Sequence, residues 1–347
     1  MKIDIDIVPQ KSQNYSIFID ELKELTLNAK VAIITNPTVA SFHLEDVKSK
    51  IVARELHVVT IPDGEEYKNL ETIEMILNEL FTCRLDRKSV LIALGGGVIG
   101  DMTGFVASIY QRGIDFIQIP TTLLAQVDAS VGGKTGVNNS FGKNLIGSFY
   151  QPIAVYCESR YLKTLPKREF SAGIAEIIKM AVTFDREFFT WLESADFKND
   201  DDLRYAIKKC VEIKARVVSL DEKEQGIRAV LNYGHTFGHV IEHEMGYGTY
   251  LHGEAVSMGI VMANELALKL GFIKKDDAKR VEDLLKKHDL PTRYKLKNVD
   301  KFYDEFFLDK KSSNAKITFI LPNSIGNYVM KNDIDEKLVK ETLRTFL

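Results

Sequence analysis

The residues best able to do chemistry crowd into Leu231–Glu254, LNYGHTFGHVIEHEMGYGTYLHGE, which holds His235, His239, His243 and His252, four of the seven histidines in 347 residues. The run Thr236–Met245 has one glycine, Gly238, and no proline, so a helix is allowed. His235, His239 and His243 then stand at i, i+4 and i+8, a stripe of imidazoles on one face. Gly246 and Gly248 close that helix, and His252 returns just before the apolar run Ala255–Ala263, which reads as the next helix. Two helices therefore aim histidines at one place. Imidazole is the commonest ligand for a borderline ion such as zinc, and a catalytic site adds a carboxylate and keeps one position open. The competing reading is a set of hydrogen-bonded histidines in a polar helix interface; density and spacing together favour metal.

The carboxylate has a candidate in Ser171–Ala181, SAGIAEIIKMA, where Glu176 and Lys179 lie three apart on one helical face. Such a pair is ordinarily at a surface, but Ile174, Ala175, Ile177, Ile178 and Met180 around it argue for burial. Anion chemistry is signalled elsewhere. The strand-like run Ser89–Leu94 leads into Gly95-Gly96-Gly97-Val98-Ile99-Gly100-Asp101 and then a helical Met102–Ile109. Glycines at a strand-to-helix turn let backbone amides approach a phosphate at a helix N-terminus. Gly95, Gly97 and Gly100 satisfy GxGxxG, a weak signal alone, and the acid at the expected distance, Asp115, precedes the strand Phe116–Ile119 instead of ending it. The turn is thus a phosphate cradle in a non-standard α/β domain, or else a plain tight turn. Lys134 in Gly132–Gly136 and Lys143 in Gly142-Lys143-Asn144 read as glycine-flanked loops suited to anionic oxygens. Neither has Walker spacing, and either alone is also compatible with a solvated surface lysine.

These groups need a frame. A chain of 347 residues exceeds the size at which one core stops growing, so two domains are expected, 1–160 and 161–347. Hydrophobic residues at 45%, charged residues at 27% and a net charge of -3 describe an ordinary globular protein with no pull toward nucleic acid or an anionic membrane. Cys83, Cys157 and Cys210 are odd in number and lack a CxxC pattern, which suits a cytoplasmic protein with reduced thiols. The N-terminal MKIDIDIVPQ alternates like a strand and lacks the regions of a signal peptide. Strands at Val31–Thr35 and Val58–Ile61 alternate with the helical Asn69–Phe81, implying a parallel sheet. From Leu162 onward helical patterns dominate, with Ile207–Leu220 carrying Lys214 and Asn199–Asp202 read as a short acidic loop.

The segments GGGVIGDMTGFVAS, IPTTLLAQVDASVGGKTGVN, LKTLPKREFSAGIAEIIK, DEKEQGIRAVLNYGHTFGHVIEH and HGEAVSMG together resemble, in order and spacing, the 3-dehydroquinate synthase family of sugar phosphate cyclases. The resemblance implies a Rossmann-like but non-standard α/β NAD-binding N-terminal domain, a mainly α-helical metal-binding C-terminal domain, a homodimer and a site between the domains. It makes Glu176, His235 and His252 the ligands of zinc or cobalt, and His239 a substrate contact instead of a ligand. It places Asp63, Gly64, Glu65, Glu66, Tyr67 and Lys68, then Gly97, Val98, Ile99, Gly100 and Asp101, then Thr121, Thr122, Lys134, Lys143, Tyr161, Leu162, Lys163 and Thr164 around NAD. Around the substrate it puts Asp128, Lys134, Asn144, Lys179, Lys214, Glu224, Arg228, Asn232, His239 and Lys316, with Arg112 donated across the dimer. Glu158 stands where an Asp is common.

The family's reaction turns 3-deoxy-D-arabino-heptulosonate 7-phosphate into 3-dehydroquinate and phosphate by transient oxidation with NAD, elimination, reduction and intramolecular aldol closure. The clustering of Lys134, Lys143, Lys179, Lys214, Arg228 and Lys316 in a chain of slightly negative charge suits a substrate that carries both phosphate and carboxylate. Three other readings stand beside it: a metal-dependent polyol dehydrogenase, a cyclase of another sugar phosphate, and a non-catalytic NAD-binding regulator.

Overall fold

The computed structural model describes residues 14–246, 248–307 and 317–347; the strand expected at Met1–Gln10 and the candidate Lys316 lie outside them. The first half is built on a parallel six-stranded sheet of order β1-β8-β5-β4-β2-β3, from Ser16–Ile19 (β1), Leu25–Thr35 (β2), Ile51–Thr60 (β3), Val90–Gly95 (β4), Asp115–Pro120 (β5) and Ala154–Cys157 (β8). Every residue of β4, VLIALG, is buried. Val90, Ile92 and Leu94 join one core, and Leu91 and Ala93 join the core on the other face. A parallel sheet covered on both sides demands such an unbroken apolar run.

The helices are α1 (Pro37–Val39), α2 (Glu45–Lys48), α3 (Leu70–Thr82), α4 (Gly97–Ile109), α5 (Lys167–Phe184), α6 (Arg186–Leu192), α7 (Asp200–Leu220), α8 (His235–Met245), α9 (His252–Lys269), α10 (Lys275–Lys287), α11 (Val299–Glu305) and α12 (Glu336–Leu343). In α9 the stretch Ala255–Asn264 is buried on every side, the mark of a central helix. It packs against α5 and α8 within the largest apolar core. The second half also contains one small antiparallel pair, Phe319–Pro322 (β9) with Tyr328–Lys331 (β10).

Two expectations change. The glycine-flanked lysines are not in loops: Lys134 opens Lys134–Asn139 (β6) and Lys143 lies in Gly142–Phe149 (β7), an antiparallel hairpin. The Cβ-less Gly136 and Gly147 let its strands approach closely, so the glycines serve the hairpin's packing. The acidic Asn199–Asp202 is not a loop but the start of α7. Asn199 caps it, accepting from Asp201 N at 2.8 Å, and the three aspartates sit in its first turn, where the helix dipole favours negative charge.

Candidate active site

Glycine lets three helices come close enough to share a site. Gly253, beside His252 at the start of α9, approaches the backbone of Ala172 on α5 so tightly that a Cβ would lie 2.6 Å from Ala172 C. A Cβ on Gly259 of α9 would lie 2.8 Å from Gly238 N of α8. Ala172 and Glu176 are one turn apart, so these contacts bring Glu176, His235 and His252 together. Their ligand atoms all lie within 4.8 Å of one another. Glu176 is fully buried, and its Oε1 sits 3.7 Å from His235 Nε2 and 3.6 Å from His252 Nε2 without accepting a hydrogen bond.

A buried carboxylate oxygen facing two imidazole nitrogens with no donor between them fits a divalent cation. His235 Nδ1 lies 3.2 Å from the carbonyl of Tyr233, which can only accept, so Nδ1 carries the proton and Nε2 keeps its lone pair toward Glu176. Burial and the nearby Lys179 ammonium hold the His235 pKa well below its usual value, keeping the ring neutral as a ligand must be. The Lys179 ammonium meets Glu176 Oε2 and is kept charged against burial by Glu176 and Asp128.

The imidazole stripe splits. His239 is exposed, with its ring centroid 5.4 Å from that of His235 and 6.2 Å from that of His252. It does not join the Glu176 set; its ligand atom groups with Glu242 and His252 instead. His243 leaves the site and pairs with Glu305 through Nδ1 at 2.9 Å. At 100° per residue, i+4 is displaced by about 40° and i+8 by about 80°, enough to carry His243 off the face.

A polar cluster crosses from the hairpin and sheet to the helices. Lys214 Nζ is 2.6 Å from Asp128 Oδ1; burial would raise that carboxyl, but Lys214 and Lys179 hold it below the usual range. Lys134 contacts Glu224 Oε2, and Asn232 donates to Glu224 Oε1 at 2.6 Å. Glu224 adopts φ +58°, a left-handed backbone that a non-glycine residue rarely takes and that aims its side chain at both partners. Burial and the cations Arg228 and Lys214 lower Lys134 to about 8, with Asp128 opposing them. Arg228 is buried, donating to the carbonyls of Glu222 and Gly132.

On the sheet side, Gly96 caps α4 with no side-chain hydrogen bond, and a Cβ there would meet Thr122 at 3.0 Å. The first amides of α4 therefore lack a side-chain cap, which fits a phosphate. Lys68 donates to Asp101 Oδ2 at 2.6 Å and to Asn144 Oδ1, tying the Asp63–Lys68 loop to α4 and the hairpin. Asp63 accepts from Asn36 and Thr38, and Glu65 accepts from Asn138. The Tyr161–Thr164 turn presents fewer free groups. Tyr161 and Leu162 are buried, Tyr161 donating to Asp46 at 2.7 Å, while Lys163 pairs with Asp200 and Thr164 meets His43 Nε2 at 2.9 Å. Arg112 is exposed just after α4, with φ +71°. Glu158 is buried and uses its length to accept from Leu22 N at 2.7 Å.

Sequence reasoning passed over Glu242. It lies seven residues after His235, within about 20° of it around the helix, and that spacing was the available signal. It also passed over Tyr15, whose hydroxyl accepts at 3.0 Å from the backbone N of Gly132, the residue whose carbonyl Arg228 meets.

The family described as 3-dehydroquinate synthase N-terminal matches residues 58–172, and 3-dehydroquinate synthase C-terminal matches residues 173–312. The chain is 62% identical over 346 residues to the 3-dehydroquinate synthase of Sulfurovum sp. (strain NBC37-1), covering 100% of this chain and 99% of that protein. Among solved structures it is similar to 2-epi-5-epi-valiolone synthase from Streptomyces hygroscopicus subsp. jinggangensis 5008 with NAD+ and Zn2+ bound, at 25% identity and TM-score 0.88 over 99% of each chain. It is also similar to 2-deoxy-scyllo-inosose synthase complexed with carbaglucose-6-phosphate, NAD+ and Co2+, at 28% identity and TM-score 0.82, covering 92% of this chain and 91% of the other.

Proposed function

Since the chain belongs to the 3-dehydroquinate synthase family, we propose that the cluster between its sheet and its helices is where 3-deoxy-D-arabino-heptulosonate 7-phosphate becomes 3-dehydroquinate and phosphate. The observation that carries this reading is the buried Glu176 Oε1, which takes no hydrogen bond and faces two imidazole nitrogens at 3.6 and 3.7 Å. In this reading Glu176, His235 and His252 hold zinc or cobalt, and the uncapped start of α4 with Lys68, Asp101, Thr121 and Thr122 borders NAD. When bound, the ion supplies Lewis acidity to a substrate hydroxyl, and NAD supplies a hydride acceptor that is restored before product leaves.

The chain's own residues do the rest. Lys134, Arg228, Lys214 and Lys316 hold the phosphate and carboxylate by charge-assisted hydrogen bonds, and Asn144 and Asn232 orient the hydroxyl-bearing chain between them. Glu224, already joined to Lys134 and Asn232, keeps both donors aimed inward. Asp128 and Glu176 neutralise Lys214 and Lys179, so that buried cations do not repel one another. His239, whose ring is open to solvent, exchanges a proton with the substrate at a ring nitrogen. Arg112 completes the site of a neighbouring subunit in a homodimer. The boundary lies at 160/161, and the enzyme works in the cytoplasm, which suits Cys83, Cys157 and Cys210 as free thiols.

The test is phosphate release from the heptulosonate phosphate, with and without a chelator. Release should stop on metal removal, return with zinc or cobalt, and proceed with no matching rise in NADH absorbance, because reduction follows elimination on the same bound molecule. Steady NADH production in step with substrate loss would mean a dehydrogenase instead. A second reading, a cyclase of another sugar phosphate, draws on the fold shared with the two cyclase structures. Turnover of their substrates in preference to the heptulosonate would establish it.

A further inference from the structure

Glu242 stands behind the metal site with both carboxylate oxygens engaged. We infer that it is a positioning residue that fixes the His252 ring for the metal, itself held in place from the β6–β7 hairpin by Lys143; this rests on the metal reading above. Glu242 is buried on α8. Its Oε2 lies 3.5 Å from His252 Nδ1, and its Oε1 accepts from Lys143 Nζ at 3.1 Å. The opposite nitrogen of the same ring, Nε2, faces Glu176. An ionised carboxylate can only accept, so Nδ1 carries the proton and Nε2 offers its lone pair to the ion. An outer carboxylate of this kind sets the tautomer and angle of a ligating imidazole and increases its basicity. His235 is oriented in the same way by the Tyr233 carbonyl, so each imidazole ligand is held from behind. The His252 support differs in being charged and in reaching the hairpin.

The same atoms permit a rival account, in which Glu242, His239 and His252 themselves bind an ion. Two observations weigh against it. An ammonium already occupies the position 3.1 Å from Glu242 Oε1 and repels a divalent cation. His252 would also have to ligate through both nitrogens at once, since Nε2 belongs to the Glu176 set.

The test titrates Co2+ into the metal-free chain against a competing chelator, following the visible absorption of bound cobalt. Wild type should take up one equivalent. Glu242→Ala should bind that equivalent about 10–100-fold more weakly. Glu242→Gln, whose amide oxygen still accepts one hydrogen bond, should lose less. Lys143→Met, which keeps the His252 contact but frees the other oxygen, should fall between wild type and Glu242→Ala. Affinity of Glu242→Ala within twofold of wild type would overturn the inference. So would a second equivalent in wild type that disappears in Glu242→Ala. A Lys143→Met chain indistinguishable from wild type would remove the hairpin from the account. Wild type that binds no stoichiometric cobalt would refute the metal reading itself, and this inference with it. If Glu242→Ala does not fold, nitrogen-15 histidine spectra of loaded wild type decide. A slowly exchanging Nδ1–H on His252 supports the inference, and a proton on Nε2 or metal on both nitrogens overturns it.

Discussion

Gly253→Ala is the smallest change that should unmake the metal site without touching a ligand. In an ordinary helix the substitution is favourable by roughly 1 kcal/mol, because alanine has the higher helix propensity. Here the new methyl would lie 2.6 Å from Ala172 C and 2.7 Å from its Cα, closer than real Cβ contacts come, and against backbone that cannot rotate away. Relief requires α9 to withdraw from α5 by on the order of 1 Å, at an overpacking cost of about 1–3 kcal/mol. That movement separates His252 from Glu176, which sits one turn beyond Ala172, and misplacement of about 1 Å costs on the order of 10²-fold in rate. The assay pairs cobalt affinity with kcat/KM for phosphate release and with thermal melting. Metal affinity should fall by at least about tenfold and kcat/KM by about 10²-fold, in a chain that still folds. A Gly253→Ala chain with wild-type metal affinity would refute the argument that this helix contact sets the ligand geometry.

Other outcomes follow from the same geometry. His235→Ala and Glu176→Ala should each lose stoichiometric metal and turnover while the far-ultraviolet circular dichroism stays near wild type, because the two remaining ligands cannot hold the ion; bound metal with activity in either variant would contradict the assignment. His288, whose ring lies tilted against that of Phe197 at a centroid distance of 5.3 Å, is lowered to about 4 by burial and then by Lys287. Its depressed pKa leaves stability unaffected above the unfolded value near 6.5 and removes it as pH falls from there to about 4, by roughly 1–2 kcal/mol once solvent screening is allowed for. His288→Gln should therefore narrow the gap between urea midpoints at pH 7 and pH 4, and an unchanged gap would be evidence against it. Lys134 and Lys143, which meet Glu224 in the turn after α7 and Glu242 of α8, come from the hairpin, so a substrate bridging the two halves should tighten the site beyond what NAD alone achieves. Small-angle scattering of the free enzyme, the NAD-bound enzyme and the enzyme with an unreactive phosphonate analogue of the substrate would measure this, and identical profiles would mean a preformed site.

Much of this protein was legible without coordinates because it is written in local patterns. The all-apolar β4 and the glycine turn after it follow from chain patterns over a few residues, the density of histidines in 231–254 signals a metal, and the motif order carries the family, whose resemblance supplies the set Glu176, His235 and His252. What only the tertiary structure decided concerns direction and distance between elements far apart in sequence. The periodicity of α8 put His243 beside His239, but the accumulated turn and the nearby Glu305 took it away. The lysine loops were strands, because cross-strand pairing between residues 134–139 and 142–149 cannot be read from either run alone. Glu242 looked like any helix carboxylate until the fold set His252 on one side of it and Lys143 on the other. Type and spacing along the chain determine which groups exist and which face they share. Which partner each group meets depends on how closely α5, α8 and α9 approach, and that distance is set by backbone contacts at Gly253 and Gly259 across the core.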